Sequence, residues 1–311
     1  MIPTWFFIAF LAVLFWNAGA LLDKYIIGKY FSHEEEQESG VGTLLLFSAF
    51  FSFVVSLFAI FYAGNSILVQ STNWWALLGG LFNVTWLLLY FHAIEKTELS
   101  RTIPIFQIIP IFGYLFGMIL LGEILTVNVL LFGLLILLGG FILTYHYVPG
   151  GGWFDTKPLL LMTTASAFVA LSEISFKISA LASNYWNTVF WFSLGIALGG
   201  LILYVMVDSY REQFNRFVMT KNYKIFGLNG FNEIIDNLGN FIFVFALTLG
   251  PVAIVMTVNS YQPLVILIAS AVLAKIAPKY YEEDLSKITT IQKITGVLII
   301  TVGSLLLYNS L

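Results

Sequence analysis

The sequence predicts an all-α polytopic membrane protein, with ten transmembrane helices arranged as two inverted five-helix repeats. Three observations point there. The 311 residues are 59% hydrophobic and only 10% charged, outside the range of ordinary soluble domains. Apolar runs of about twenty residues, each enough to cross a hydrocarbon core of about 30 Å as a helix, recur almost without pause. The second half of the chain echoes the first at one constant offset.

The spans are set by length rather than periodicity, because most faces are apolar. The first runs from Thr4 to Leu22 and carries Asn17 as its one strongly polar mid-span residue. Its Ala18-Gly19-Ala20 could pass for a signal-peptide cleavage site. However, no Lys or Arg precedes the run, and the repeat needs this helix. The second and third spans run from Thr43 to Tyr62 and from Trp74 to Ala93. The fourth, Ser100 to Leu121, holds Gln107 between Pro104 and Pro110, and a fifth follows from Thr126 to Tyr145. A Gly-rich connection, residues 149–157, separates the first repeat (1–148) from the second (158–311). The second half then gives Pro158 to Phe176, Thr188 to Val207, Ile225 to Leu249, Ala253 to Leu273 and Thr290 to Tyr308.

The offset that sets Lys24 on Lys177 also sets Ala93 on Ala246, Pro110 on Pro263 and Asn83 on Asp236. After an insertion around Tyr280 to Ser286, the last pair aligns as well, with Gly133 on Gly296, Gly140 on Gly303 and Tyr145 on Tyr308. Five helices per repeat is an odd number, so the second repeat enters the membrane from the opposite side. Lys and Arg cluster in or beside the loops after the first, third, fifth, seventh and ninth helices, with Lys177 alone on the other face. By the positive-inside rule both termini then lie outside the cytoplasm, in a multi-pass protein of the cell membrane.

The stretch FNEIIDNLGNF, Phe231 to Phe241, lies inside an otherwise apolar span. An acidic group at mid-membrane costs roughly 2.5 to 3.5 kcal/mol on insertion scales. On a helical wheel Asn229, Asn232, Glu233, Asp236, Asn237 and Asn240 fall within an arc of roughly 140°, opposite Phe231, Ile234, Ile235, Leu238, Phe241 and Phe245. Such a face needs a hydrated cavity or polar partners. A structural hydrogen-bond network between helices is the plainer alternative.

On the repeat-equivalent third helix, Asn83, Trp86 and Tyr90 share the matching face. There a substrate cation could meet aromatic rings while Glu233 or Asp236 neutralises it. Ordinary packing would also account for those rings. Glu233 and Asp236, three residues apart, are proton-coupling candidates, because two close carboxylates in a low dielectric favour keeping a proton. Gln107 and the run Asn259, Ser260, Tyr261, Gln262 sit beside prolines that free a backbone carbonyl, suiting a cavity lining or a hinge. Asn17 fits the same cavity. Gly113, Gly117 and Gly122 fit close helix packing. Glu173 and Lys177, four apart, are expected to form an intrahelical ion pair.

The stretches LLDKYIIGKYF, PIFQIIPIFGYLFGMILLGEIL with its Glu123, and GLLILLGGFILTY resemble the drug/metabolite transporter superfamily, in its ten-helix form with two EamA-type repeats. The resemblance implies a secondary carrier of small metabolites, with a central cavity lined by the first, third, fourth, sixth, eighth and ninth helices. Two features depart from the pattern. Ile276 stands in the second repeat where the first has Glu123, and the charge count opposes the cytoplasmic termini described for many members.

The expected function is therefore a permease for a small polar metabolite, cationic or zwitterionic, working by alternating access. The substrate-binding candidates are Asn17, Asn83, Trp86, Tyr90, Gln107, Asn229, Asn232, Glu233, Asp236, Asn237, Asn240, Asn259 and Tyr261. Lys24 and Lys177 lie at span ends and no other cation lies well inside a span, which argues against strongly anionic substrates. An intramembrane enzyme is disfavoured: His33, His92 and His146 fall in loops or near helix ends, and no metal-ligand pair or nucleophile elbow occurs. A structural or partner-binding subunit is the other alternative. The chain has no Cys, which excludes thiolate chemistry. Neither cofactor nor metal is expected. The expected partners are an amine, amino acid or similar small molecule, the lipid bilayer and a second copy of the chain in a homodimer. The net charge of −3 gives no reason to expect nucleic acid.

Overall fold

Without water to satisfy the backbone, an apolar run in a bilayer must bond its N–H and C=O groups internally, and this leaves helix as the form of each segment. The structure, a computed structural model, describes residues 4–27, 29, 40–63, 72–95, 97, 99–122, 127–144, 156–219, 223–250, 255–256, 258–278 and 286–310. Among these residues there are helices and no strand. The first three are α1 (Thr4–Ile26), α2 (Val41–Ala63) and α3 (Asn73–Glu95).

The fourth span is broken into α4 (Leu99–Thr102), a 3-10 segment (Ile103–Ile108) and α5 (Ile109–Leu121). Pro110 takes the first turn of α5, where its missing N–H costs nothing. Gly122 then ends α5 in the left-handed region at φ 69°, a conformation that suits a residue without Cβ. Next come α6 (Val127–Thr144), α7 (Thr156–Ala182) and α8 (Tyr185–Met206). After them lie α9 (Asp208–Met219), α10 (Tyr223–Leu249), a second 3-10 segment (Val258–Tyr261), α11 (Gln262–Ile276) and α12 (Lys287–Ser310). Pro263 takes the first turn of α11, so both prolines that the offset equates start a helix after a 3-10 segment.

Among the described residues, six segments are long and apolar enough to cross a membrane: Thr4–Ile26, Val41–Tyr62, Asn73–Glu95, Thr156–Ala182, Tyr185–Met206 and Ile288–Leu306. The chain is an all-helical, multi-pass membrane protein. Large apolar side chains such as Phe58, Phe61, Leu138, Leu201 and Val205 are exposed on its exterior, as a lipid-facing surface requires.

The helices pack in recognisable pairs. α1 lies along α10, α7 along α3, α2 along α8 and α6 along α12, and α8 also crosses α3. Small residues let backbones approach at these contacts: Gly139 of α6 meets the Gly296 carbonyl and Ile300 of α12. Ser172 of α7 donates to the Gly79 carbonyl of α3 at 2.8 Å. Two lysines strap helix ends in the same way in both halves. Lys24 Nζ donates to the Thr97 carbonyl at 3.0 Å and to the Ile94 carbonyl at 2.9 Å, while Lys177 Nζ donates to the Gly250 carbonyl at 3.4 Å. Under the offset that sets Lys24 on Lys177, Thr97 falls on Gly250. Each cation meets carbonyls at or just beyond a helix C-terminus, where the helix dipole favours positive charge.

Two expectations are corrected. The amphipathic helix α9 falls between the seventh and eighth spans, where only a loop was expected. Its Gln213 Oε1 accepts from the Gly42 N–H at the start of α2, 3.1 Å away, and Phe217 packs edge-on against Phe47 of α2 with centroids 6.1 Å apart. Its charges pair along the outer face, Arg211 with Asp208 and Arg216 with Glu212. The Glu173–Lys177 ion pair is absent among the described residues, because the Lys177 stem reaches the Gly250 carbonyl instead.

Candidate substrate cavity

A single face of α10 explains how so many polar groups are tolerated in this helix. Phe231, Ile234, Leu238 and Phe245 are exposed on one side, while Glu233, Asp236, Asn237 and Asn240 border a cavity on the other. The cavity has a volume of about 150 Å3. At ~10–15 Å3 of such volume per water, that is room for on the order of ten water-sized groups, the size of a small metabolite.

The walls come from both halves of the chain. α1 supplies Trp16, Ala20 and Asp23, and α2 supplies Ser48 and Ser52. Asn83, Trp86 and Tyr90 come from α3, and Ile103, Phe106 and Ile109 from the broken fourth span. Ser172 and Glu173 of α7, Phe192 and Ile196 of α8, and Asn259 and Gln262 beside Pro263 complete it. All six spans that the resemblance implied are represented, and the second and seventh contribute as well.

Hydrogen bonds fix most of the polar lining. Asn232 Nδ2 donates to Asp23 Oδ1 at 2.7 Å, and the Tyr90 hydroxyl bonds the same carboxyl. The Ser48 hydroxyl donates to Glu233 Oε1. Asn237 Nδ2 donates to the Glu233 carbonyl at 2.8 Å and approaches its Oε2 at 3.5 Å. Trp16 Nε1 donates to Asn240 Oδ1 at 2.9 Å, locking α1 to α10 at the cavity edge. By contrast, Asp236 accepts no side-chain bond from a described residue, and Glu173 Oε2 is buried without a hydrogen-bond partner.

The charge balance is one-sided. Asp23, Glu173, Glu233 and Asp236 line the cavity, and among the described residues no Lys, Arg or His does. Asp23, Glu233 and Asp236 lie close enough to act on one another electrostatically. In a low-dielectric enclosure the three repel one another and all four carboxyl groups have lost bulk water, costs that a cation in the cavity would offset. Trp86, Tyr90 and Phe106 form an aromatic corner with centroids about 6 Å apart, able to present ring faces to such a cation.

Of the residues singled out from sequence, Asn83, Trp86, Tyr90, Glu233, Asp236, Asn237, Asn240 and Asn259 meet at this cavity. Four others do not line it. Asn17 is buried and its amide donates to the Val13 carbonyl at 2.8 Å, the back-bonding open to a mid-helix polar side chain. Asn229 is buried away from the lining, and Asn232, also buried, turns its amide N–H to Asp23. The Tyr261 ring packs edge-on against Phe6 and Phe10, with centroids 6.0 and 5.8 Å away. The Gln107 and Ser260 side chains and Glu123 lie outside what the structure describes.

Asp23 and Glu173 were not foreseen. The first was findable, since Trp16, Ala20 and Asp23 follow i, i+4, i+7 spacing on one face of a helix that continues to Ile26. Gly19, beside that face, has a packing role of its own, because a Cβ there would overlap the Asp236 carboxyl. Gly19→Ala should therefore displace Asp236 and raise KM for a transported cation about tenfold, as expected for a misplaced charged contact. Uptake kinetics of the purified variant would check this, and an unchanged KM would show that Asp236 does not face the guest.

Residues 3–145 match the model of the EamA-like transporter family. A solved crystal structure 17% identical to this chain shares its fold, with a TM-score of 0.56 over 96% of both chains. Comparison with curated protein sequences gives no match.

Proposed function

We propose that this chain, which over residues 3–145 belongs to the EamA-like transporter family, is a secondary transporter of a small cationic or zwitterionic metabolite. The family is one of membrane transporters, so a small-molecule substrate and a lipid environment follow from membership. The cationic character rests on one observation: among the described residues, four carboxyl groups and no basic side chain line the cavity.

Alternating access between two inverted repeats, residues 1–148 and 158–311 joined by 149–157, is the mechanism we favour. Exchanging the repeats turns the α1·α10 pair into the α7·α3 pair, and it maps the Lys24–Thr97 contact onto Lys177–Gly250. These correspondences support a chain built from two similar halves. In this reading the halves rock about the cavity, and the 3-10 segments preceding Pro110 and Pro263 are the places where helices flex. Glu233 and Asp236 are the groups that would exchange a proton for substrate. Both termini would lie outside the cytoplasm of a cell-membrane protein, as the distribution of Lys and Arg suggests, whether the chain works alone or as a homodimer.

Purified protein in liposomes tests the reading. A carrier should show saturable, counterflow-competent movement of small amines, competed poorly by phosphorylated anions. An enzyme would alter the solute chemically, and a structural subunit would move nothing. Preferential flux of anions would overturn the proposal.

A further inference from the structure

The carboxyl groups of the cavity fall into two poles. Asp23 on α1 and Glu233 and Asp236 on α10 form one electrostatically coupled trio, carried by two helices that pack along each other. Glu173 stands on a third helix, α7, which packs chiefly along α3 and only lightly against α10. Glu173 Oε2 is buried without a hydrogen-bond partner. An acceptor left unmet in an enclosed site is costly, and the residue that carries it borders the same cavity as the trio.

We infer that the cavity is built for a dication, an aliphatic diamine whose two ammonium groups bridge the acidic trio of α1 and α10 and the isolated Glu173 of α7. The inference rests on the carrier reading above and names its substrate class. A single ammonium, with three donors, can satisfy the trio but leaves Glu173 unanswered. A second ammonium on the same molecule answers it and brings the enclosed charge closer to balance. Trp86, Phe106 and Phe192 supply apolar surface for the methylene chain between the poles, and a cavity of about 150 Å3 accepts a diamine of four or five carbons. Bridging also joins the α1–α10 pair to the α3–α7 pair across the cavity.

Counterflow in proteoliposomes tests this, with the diamines putrescine and cadaverine set against butylamine and pentylamine of the same chain lengths. Each diamine should compete at a concentration at least about tenfold lower than its monoamine, the smallest factor a charge-assisted contact supplies. Glu173→Gln should bring the two potencies close together. Glu173→Asp keeps the charge but draws the pole back by one methylene, and should favour cadaverine over putrescine relative to the unmodified protein. Equal potency of diamine and monoamine in the unmodified protein overturns the two-pole inference while leaving a cation carrier standing. A preference that survives Glu173→Gln overturns it equally. If Glu173→Gln does not reach the membrane, the potency ratio in the unmodified protein and the shift in Glu173→Asp decide. If no amine moves or competes, the carrier reading falls together with the inference.

Discussion

Asp236→Asn should lower the uptake efficiency for a cationic substrate by about 10- to 150-fold, the range covered by hydrogen bonds to charged groups. The reason lies in how the trio is committed. Asp23 is held by Asn232 and Tyr90, and Glu233 by Ser48 and Asn237. Asp236 accepts nothing from the described side chains and faces the cavity, so its oxygens are the ones left for a guest. Removing this charge also relieves its repulsion with Asp23 and Glu233. The unliganded variant should then melt no lower than the parent, while the stabilisation added by substrate largely disappears.

A structural role for Asp236 predicts the reverse, a lower melting temperature with flux reduced only in proportion to folded protein. The pH response separates the cases further. A carboxylate that binds the cation loses its charge on protonation, so cation flux should fall as pH drops from about 8 to about 5. Asp236→Asn should flatten that slope. A variant that transported normally across this range would end the role assigned to Asp236 in both binding and coupling.

Much of this arrangement was readable before any coordinates. The two-faced pattern of Phe231 to Phe241 required a polar neighbour, and the structure sets Glu233, Asp236, Asn237 and Asn240 on a cavity. Pro110 and Pro263 announced breaks, and 3-10 segments precede both. What escaped depended on information that is not local. Ending the first helix at Leu22 put Asp23 just past its edge, because an acidic residue beside Lys24 reads as an exit from the membrane. In the structure Asn232 of a distant helix satisfies that carboxyl.

The i, i+4 spacing of Glu173 and Lys177 pointed to a local pair, since nothing nearby in sequence reveals that Gly250 presents a carbonyl to the lysine. The spacing of Asn17 and Tyr261 told little, because when nearly every face is apolar a helical wheel cannot say which one turns inward. The helix α9 was missed for the opposite reason. Its 12 residues, DSYREQFNRFVM, are too short and polar for a span criterion, and only Phe214 and Phe217 at i, i+3 hint at its buried side.

Gly80→Val should be the most damaging packing substitution, with folded protein largely lost from detergent extracts or its melting temperature markedly lowered. At this crossing α3 and α8 meet backbone to backbone. A Cβ at Gly80 would overlap the Phe192 carbonyl and approach the Ile196 nitrogen and the Gly195 carbon, while one at Gly195 would run into the Leu77 carbonyl of α3. Overpacking a tight contact costs about 1–3 kcal/mol when side chains can shift. Here the obstacles are main-chain atoms held in two helices, which cannot move aside without separating them, so the cost should lie at or above the top of that range. On the flank of α3, Ser172 of α7 donates to the Gly79 carbonyl, which fixes the helix from a second side.

The consequence reaches the cavity, since Asn83, Trp86 and Tyr90 on α3 face it a turn or more beyond Gly80, and Phe192 and Ile196 of α8 form the adjoining wall. The milder Gly80→Ala should therefore leave some folded protein in which amine affinity is reduced, because parting α3 from α8 widens the site. Gly227→Ala is the control. No atom lies within 4 Å of its would-be Cβ, and the gain in helix propensity should make that change neutral or slightly stabilising, by up to about 1 kcal/mol. Melting curves and amine uptake on the three variants would decide the matter. If Gly80→Val folded and transported like Gly227→Ala, the close crossing of α3 and α8 could not be what holds the aromatic and acidic walls at their working separation.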